Sequence, residues 1–316
     1  MRNSGAHYTE EAPAQTLFSQ QRLEAWRPLF TPFIIIIITF IGGLIFLIFG
    51  IIFYYFSKSL VKIDQRYDDI CNGIDQCLIT IDVPKKLTGN IFLHYKLTNF
   101  FQNHRRYIYS RSDAQLRGEF LTYNELSSCG DYRSVNGSHE VKDLLVPCGA
   151  TALSFFNDTF NWMNDTGNNQ FSDAGISWRS DREKLFKPPN EKYNESVQWL
   201  NESHVEGNIR SERFITWMRT STLPTFIKIA QRCIKCSIDP GKYMIHISNN
   251  YPTSNFNGEK HIILSTVNIM GGKNDDIGLA YIITGSIFIL YSIVVMISHL
   301  CFPRKLGDAS YFMGDF

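Results

Sequence analysis

Two charge-free apolar runs, residues 30–56 and 277–298, bracket about 220 residues of polar chain. A membrane-spanning helix needs about 20 mostly apolar residues, and both runs meet that length. The segment between them holds six of the seven cysteines and every Asn-X-Ser/Thr sequon. The expected arrangement is two crossings, with both tails on one side of a bilayer and the bulk of the chain on the other.

Between residues 34 and 52, fifteen positions are Ile, Leu or Phe. Such residues favour insertion by about 5 to 9 kcal/mol before the Gly and Thr terms are subtracted. A cleaved signal peptide carries a shorter apolar core close to the N-terminus. This run begins only after a polar stretch, so a signal anchor is expected. The second run is interrupted by Thr284, Ser286, Ser292 and Ser298. Lipid cannot satisfy a hydroxyl, so part of this helix is expected to face protein.

Lys and Arg placement is nearly balanced. Arg22 and Arg27 precede the first run and Lys58 and Lys62 follow it; Arg304 and Lys305 follow the second run and Lys273 precedes it. The positive-inside rule leans only slightly toward cytosolic tails. The sequons Asn136, Asn157, Asn164, Asn194 and Asn201 decide the matter, because all five lie in the middle segment and oligosaccharides are added in the lumen. The expected divisions are a cytosolic tail (1–28), a first span (29–57), a glycosylated extracytosolic domain (58–275), a second span (276–300) and a cytosolic C-terminal tail (301–316).

Cys71, Cys77, Cys129, Cys148, Cys233 and Cys236 then fall in an oxidising compartment, where disulfides persist. Six cysteines allow fifteen pairings. Local pairing of Cys71 with Cys77 and of Cys129 with Cys148 is the simplest; the second loop would contribute roughly 3 kcal/mol in the chain-entropy reading. Cys301, at the cytosolic end of the second run, is a palmitoylation candidate or a plain buried thiol.

Within the domain, residues 77–83 and 90–97 read as strands joined by turn residues, and 242–247 with 261–269 as a second strand pair. Residues 212–219 and 224–231 read as helices, with Pro224 opening the second. The aromatic, basic stretch 97–110 reads as helix or irregular chain. Residues 161–189 read as loop, held by Trp178, Phe186 and Pro188-Pro189. The fold class expected is two transmembrane α-helices plus a large, mainly antiparallel β, α+β extracytosolic domain with disulfides.

Catalytic constellations are hard to find. There is no G-x-S-x-G, H-E-x-x-H or phosphate-binding loop motif. His94 and His104 could each be matched to acids, but thirty acidic residues make such pairings cheap. Cys233-Ile-Lys-Cys236 has redox spacing without a thioredoxin-like context, and it lacks a second ligand pair for zinc. No cofactor and no metal are expected. A net charge of +1 gives no basic field for nucleic acid. His104, Arg105 and Arg106 with Tyr107 and Tyr109 form a basic–aromatic cluster, read either as a solvated face or as a contact for acidic partners or lipid head groups.

Gly43 and Gly50 stand seven apart in the first run, and Gly278 and Gly285 repeat that spacing in the second. Each pair lies on one helix face and permits close approach of another helix. That helix could be the chain's own second span or one from a larger membrane protein. Neither run carries an ionisable residue, which counts against a transport path within the chain.

Six collinear segments carry a resemblance: QQRLEAWRPLFTP, NFFQNHRRYIYSRSDAQLRG, PCGATALSFFNDTF, GISWRSDREKLFKPP, FITWMRTSTLPTFIKI and LSTVNIMGGKNDDIGLAYIITGS. Together they resemble the cell cycle control protein 50 family, accessory β subunits of the type-IV P-type ATPases that flip phospholipids. The resemblance implies a non-enzymatic partner of an ATPase catalytic subunit. It would support folding, exit from the endoplasmic reticulum and aminophospholipid transport, in a heterodimer located from that compartment to the plasma membrane. It also implies that Gln21, Arg22, Leu23, Trp26 and Pro28 form an arm contacting the partner; the seven-residue spacing alone offers Gly43, Gly50, Gly278 and Gly285 as positions for docking a partner helix. It further implies a Cys129–Cys148 bridge, a Cys71 and Cys77 hairpin, a glycan at Asn157, and membrane re-entry by Gly271, Gly272, Lys273 and Asn274. Cys233 and Cys236, Glu24 and Asp275-Asp276 depart from the family pattern. A two-span ligand-gated channel and a lumenal ectoenzyme are the alternative readings.

Overall fold

The computed structural model describes residues 16–18, 21–23, 31–163, 170–202 and 209–303. Its helices are α1 (Pro32–Ser59), α2 (Arg105–Tyr109), α3 (Asp113–Leu116), α4 (Ala150–Leu153), α5 (Trp199–Glu202), α6 (Glu212–Met218) and α7 (Asp275–Cys301). Its strands are β1 (Lys62–Arg66), β2 (Gln76–Val83), β3 (Leu87–Leu97), β4 (Thr159–Met163), β5 (Phe226–Ile238), β6 (Gly241–Ser248) and β7 (Lys260–Thr266). The described chain divides into a helical unit, which includes α1 up to Ile51 and α7 from Leu279, and a second unit within Ile52–Gly278.

Helices α1 and α7 are long and apolar enough to cross a membrane. At 1.5 Å per residue they extend about 40 Å, beyond a hydrocarbon core of about 30 Å. A β-branched run such as residues 34–38 would favour a strand in water, but in lipid every backbone polar group must be bonded within the segment. Hydroxyls inside the helical unit obey the same rule. Thr39 Oγ1 donates to the Ile35 carbonyl at 2.7 Å and Ser286 Oγ to the Ile282 carbonyl at 2.8 Å. Ser292 is buried, and its Oγ donates across to the Ile36 carbonyl of α1 at 3.0 Å.

The second unit is built on two antiparallel sheets, ordered β1-β7-β3-β5 and β2-β6-β4. In β2 every second residue is buried, and Cys77, Ile79, Ile81 and Val83 point inward. From the other sheet Leu87, Ile91, Leu93 and Leu97 of β3 join the same core. Consecutive strands β2 and β3 therefore face each other across the core instead of pairing at their edges. Instead β2 pairs with β6 (Ile79 opposite Ile245), and β3 lies between β5 and β7. The expected hairpin over 77–97 and the expected pairing of 242–247 with 261–269 are both corrected. Period-2 burial fixes which side of a strand faces inward, but not its neighbour.

The helix expected over 224–231 is likewise corrected, because these residues open β5. Their burial alternates from Phe226, and ten β3 residues pair along the strand, from Leu87 opposite Ile238 to Leu97 opposite Phe226. Pro224 precedes the strand, where its missing N–H also does no harm, and its carbonyl accepts from Phe100 N at 2.9 Å. The helix expected at 212–219 forms as α6. Its last carbonyls are gathered by Lys228 from β5, whose Nζ donates to the Thr216, Trp217 and Arg219 oxygens at 3.2, 2.6 and 2.6 Å. In the segment expected to be loop, β4 occupies the beginning; Phe186 is buried, whereas Trp178 is exposed and is no anchor.

One carboxylate ties the strand ends together. Asp158 is wholly buried and accepts from Tyr67 Oη (2.7 Å), the Asn250 and Tyr251 amides (2.6 Å each) and Lys260 Nζ (2.8 Å). Lys260 Nζ also donates to Asn249 Oδ1 and to the Tyr251 carbonyl. Removing one partner of such a buried pair costs about 3–5 kcal/mol. Asp158→Ala, which strands four donors, is therefore expected to lower the unfolding midpoint of the full chain in detergent more than Lys260→Met does. Equal midpoints for wild type and Asp158→Ala would refute the role given to this carboxylate.

On β3, burial pulls the His94 imidazole down to about 4, with Lys62 adding to the effect. The unfolded chain would bind this proton near pH 6.5. Above that pH the folded state loses nothing, and as pH falls from 6.5 toward 4 the unfolded state binds more protons and stability declines. Thermal melts between pH 7 and pH 4.5 should show a fall that is smaller in His94→Gln; identical slopes would exclude His94 as its source.

Candidate partner interface

The four span glycines are consumed inside the chain. A Cβ on Gly43 would lie 2.9 Å from the Gly285 carbonyl oxygen and 2.8 Å from Ile289 Cγ1; one on Gly285 would lie 2.7 Å from the Gly43 oxygen. A Cβ on Gly50 would meet Ile282 N at 2.7 Å. Phe46 packs between Tyr281 and Phe288, with ring centroids 5.3 and 5.9 Å away. In the second unit, a Cβ on Gly278 would meet Tyr54 N at 2.6 Å. Of the two readings offered for Gly43, Gly50, Gly278 and Gly285, the structure shows the packing of the chain's own two spans. The helix that approaches them is the other span of the same chain.

The segment after β7 folds back on the end of α1. Asn268 Nδ2 donates to the Phe56 carbonyl at 3.2 Å, and Asn274 N to Ser57 Oγ at 3.0 Å. Ser57 Oγ in turn donates to Asp275, which also pairs with Lys58 at 3.1 Å. Asn274 Oδ1 accepts from the Asp276 and Ile277 amides at 3.2 and 3.4 Å, capping α7. The two aspartates fill its first turn, where the helix dipole favours negative charge. The Asp275-Asp276 departure thus has a local cause, legible beforehand as Asn-Asp-Asp opening an apolar run. Gly271 turns the segment with φ +105°, and Ile269 and Met270 at the tip are exposed. Phe53, Leu60, Met270 and Ile277 line a small cavity of about 190 Å³ beneath it.

Of the expected arm, Gln21, Arg22 and Leu23 lie in a turn closed by Gln21 N donating to the Phe18 carbonyl (3.0 Å) and Arg22 N to the Leu17 carbonyl (2.8 Å). All three are exposed. Trp26 and Pro28 lie outside the described residues. Asn136 and Asn194 are exposed and Asn157 is half-buried; Asn164 and the side chain of Asn201 lie outside the description. Cys71 is bonded to Cys77, Cys129 to Cys148 and Cys233 to Cys236. The last pair sits on β5 around Lys235, whose φ is +55°. Cys301 is exposed and unpaired.

Among the described residues no group of three or more His, Cys, Asp and Glu converges as a metal site. His94 Nδ1 lies 3.4 Å from Ser265 Oγ, and the His104 side chain does not cap α2. Trp178, expected to hold its loop, is instead exposed, with the Arg219 guanidinium 5.2 Å from its ring centroid and Asp181 pairing with Arg219 at 2.6 Å.

Two membrane-compatible helices, separated in sequence by a unit with two antiparallel sheets and three disulfides, define a two-span protein with a β-rich unit between the spans. The family model for the ligand-effect modulator 3 (LEM3)/CDC50 family matches residues 53–305, and the chain belongs to that family. It is 34% identical to ALA-interacting subunit 3 of Arabidopsis thaliana, over 98% of this chain and 92% of that protein. It is 35% identical to cell cycle control protein 50A of Bos taurus, over 90% of this chain and 88% of the relative. It is 30% identical to the phospholipid-transporting ATPase accessory subunit CRF1 of Saccharomyces cerevisiae, over 95% and 88% respectively.

Because Gly43 meets backbone across the helix pair while a Cβ on Gly42 would meet only Phe288 at 3.8 Å, the two should respond differently to substitution. Gly43→Ala is expected to loosen the α1–α7 pair by about 1–3 kcal/mol and Gly42→Ala to be neutral. Steric trapping or thermal melts in detergent would measure this; equal effects would contradict the packing described.

Proposed function

We propose that this chain is a non-catalytic accessory subunit of a type-IV P-type ATPase that transports phospholipids. The reading is carried by likeness along nearly the whole chain, spans included, to a yeast protein named as the accessory subunit of a phospholipid-transporting ATPase. A lone binding module would share only the β unit. On this reading the chain supports folding of the ATPase, its exit from the endoplasmic reticulum and its transport of aminophospholipids, while the ATPase supplies the chemistry.

The chain crosses the membrane twice with both ends cytosolic, and residues 58–275 form the extracytosolic domain. The supports are five sequons confined to that segment and six cysteines that pair within it. Glycans at Asn136 and Asn194 would project from exposed positions. The arm around Gln21, Arg22 and Leu23, exposed in its turn, would contact the ATPase on the cytosolic face, with Trp26 and Pro28 following it. The exposed apolar tip at Ile269 and Met270, with Gly271 to Asn274, would dip into the outer leaflet.

Co-expression with a panel of type-IV ATPase catalytic subunits is expected to give a stable heterodimer with at least one, together with its movement out of the endoplasmic reticulum. Asn136→Gln and Asn194→Gln should each remove one glycan. Failure to co-purify with every member of the panel would defeat the accessory reading, and glycans absent from all five sites would defeat the topology.

A further inference from the structure

Of the three disulfides, one is built unlike the others. Cys71–Cys77 and Cys129–Cys148 join positions 6 and 19 residues apart, and all four of these cysteines are buried. Cys233–Cys236 joins positions 3 residues apart within one strand, β5, which ends the larger sheet. Cys233 is buried, but Cys236 is only half-buried, and Ile234 and Lys235 between them are exposed. Cys236 is thus the one bridged cysteine open to solvent.

The neighbouring strand leaves this corner uncovered. Gly89 of β3 lies opposite Cys236 and Ile91 opposite Cys233, so three steps along β5 face two along β3. Gly89 presents no side chain, and a Cβ built there would meet nothing within 4 Å. The extra residue is absorbed at Lys235, whose φ of +55° is a strained conformation for a lysine. Lys235 also sets a positive charge next to Cys236 in the chain, where a thiolate is favoured.

The bond adds little to the fold. A loop this short removes the least chain entropy, so the bridge contributes less than Cys129–Cys148 does. Strand β5 is held without it. Arg232 pairs with Phe92 on one side of the bridge and Ile238 with Leu87 on the other, and Lys235 N donates to Asn90 Oδ1 at 3.4 Å. Buried structural disulfides resist reduction, whereas exposed or strained ones are the labile kind.

We propose that Cys233–Cys236 is a thiol-exchange site, with Cys236 Sγ the atom attacked and a pair of thiols the co-substrate. The pair comes either from one protein dithiol or from two small glutathione-type molecules. A first thiolate attacks Cys236 Sγ. A mixed disulfide forms, the Cys233–Cys236 bond breaks, and Cys233 leaves as a thiolate that takes up a proton. The second thiol loses its proton and attacks the first thiol's sulfur in the mixed bond. Cys236 then leaves as a thiolate and is protonated in turn. Two electrons pass to the cysteine pair, and the two thiols depart joined as a disulfide. The same steps run backwards close the bridge. This chemistry is independent of whether the chain partners an ATPase.

The test titrates the full-length chain in detergent with reduced glutathione in one arm and reduced thioredoxin in the other. Free cysteines are then alkylated and located by peptide mass spectrometry. Cys233 and Cys236 should open at about one-tenth of the thiol concentration that opens either other bridge, or less, with protease resistance retained. The arm that opens them at the lower concentration identifies the source of thiols the site takes. In glutathione disulfide, Cys233→Ser should gain a glutathionyl group on Cys236 about tenfold faster than Cys236→Ser gains one on Cys233. Opening of all three bridges together, opening of either buried bridge first, or no opening in either arm overturns the site. So does equal glutathionylation of the two variants. Loss of protease resistance when this bridge alone opens makes it a structural staple and overturns the site as well.

Discussion

The β unit depends on a single carboxylate placed where four chain segments meet. Asp158 stands just before β4, which belongs to the smaller sheet, and Asn250 and Tyr251 follow β6 of that sheet. Tyr67 follows β1 and Lys260 opens β7, both in the larger sheet. A charge this deep is tolerated only when its lone pairs are filled, and here two amides, a phenol and an ammonium fill them. The arrangement fixes the ends of both sheets relative to each other more sharply than apolar contact could, because hydrogen bonds are directional and burial is not.

The helical unit solves a different problem. Between two apolar helices in lipid there is no hydrophobic driving force, so association rests on close packing and on hydroxyl bonds across the pair. Gly43 and Gly285 remove the side chains that would hold the backbones apart, and Ser292 adds one bond to the Ile36 carbonyl. The glycines serve the chain's own assembly, and this leaves the outer faces of α1 and α7, with their exposed Ile, Leu and Phe, for lipid or for a partner. The family to which the chain belongs includes proteins named as accessory or interacting subunits, and a prebuilt helix pair suits such a part.

Much was legible beforehand. The spans show as length without charge, α6 as Glu212–Met218, and the strands as alternating β-formers around Ile79 and Leu93 and an unbroken buried run around Ile262. The segment 224–231 misled because Pro opens helices and strands alike, and only the row of β3 partners along β5 decides between them. The glycine spacing announced a close approach without saying whose helix approaches. The basic–aromatic stretch was visible as composition, but nothing in it revealed that Tyr107 turns inward while Arg105 and Arg106 have no acidic partner among the described residues.

By itself the sequence determined the elements and their inward faces: two apolar helices, an oxidised polar domain between them, and strands whose period of two marks core from solvent. Tertiary structure alone decided which strands are neighbours, which helix fills the glycine face and which charges pair among the described residues. The physical reason is range. Periodicity and composition act over a few residues, whereas sheet order, helix contact and charge pairing join positions such as 91 with 266 and 43 with 285.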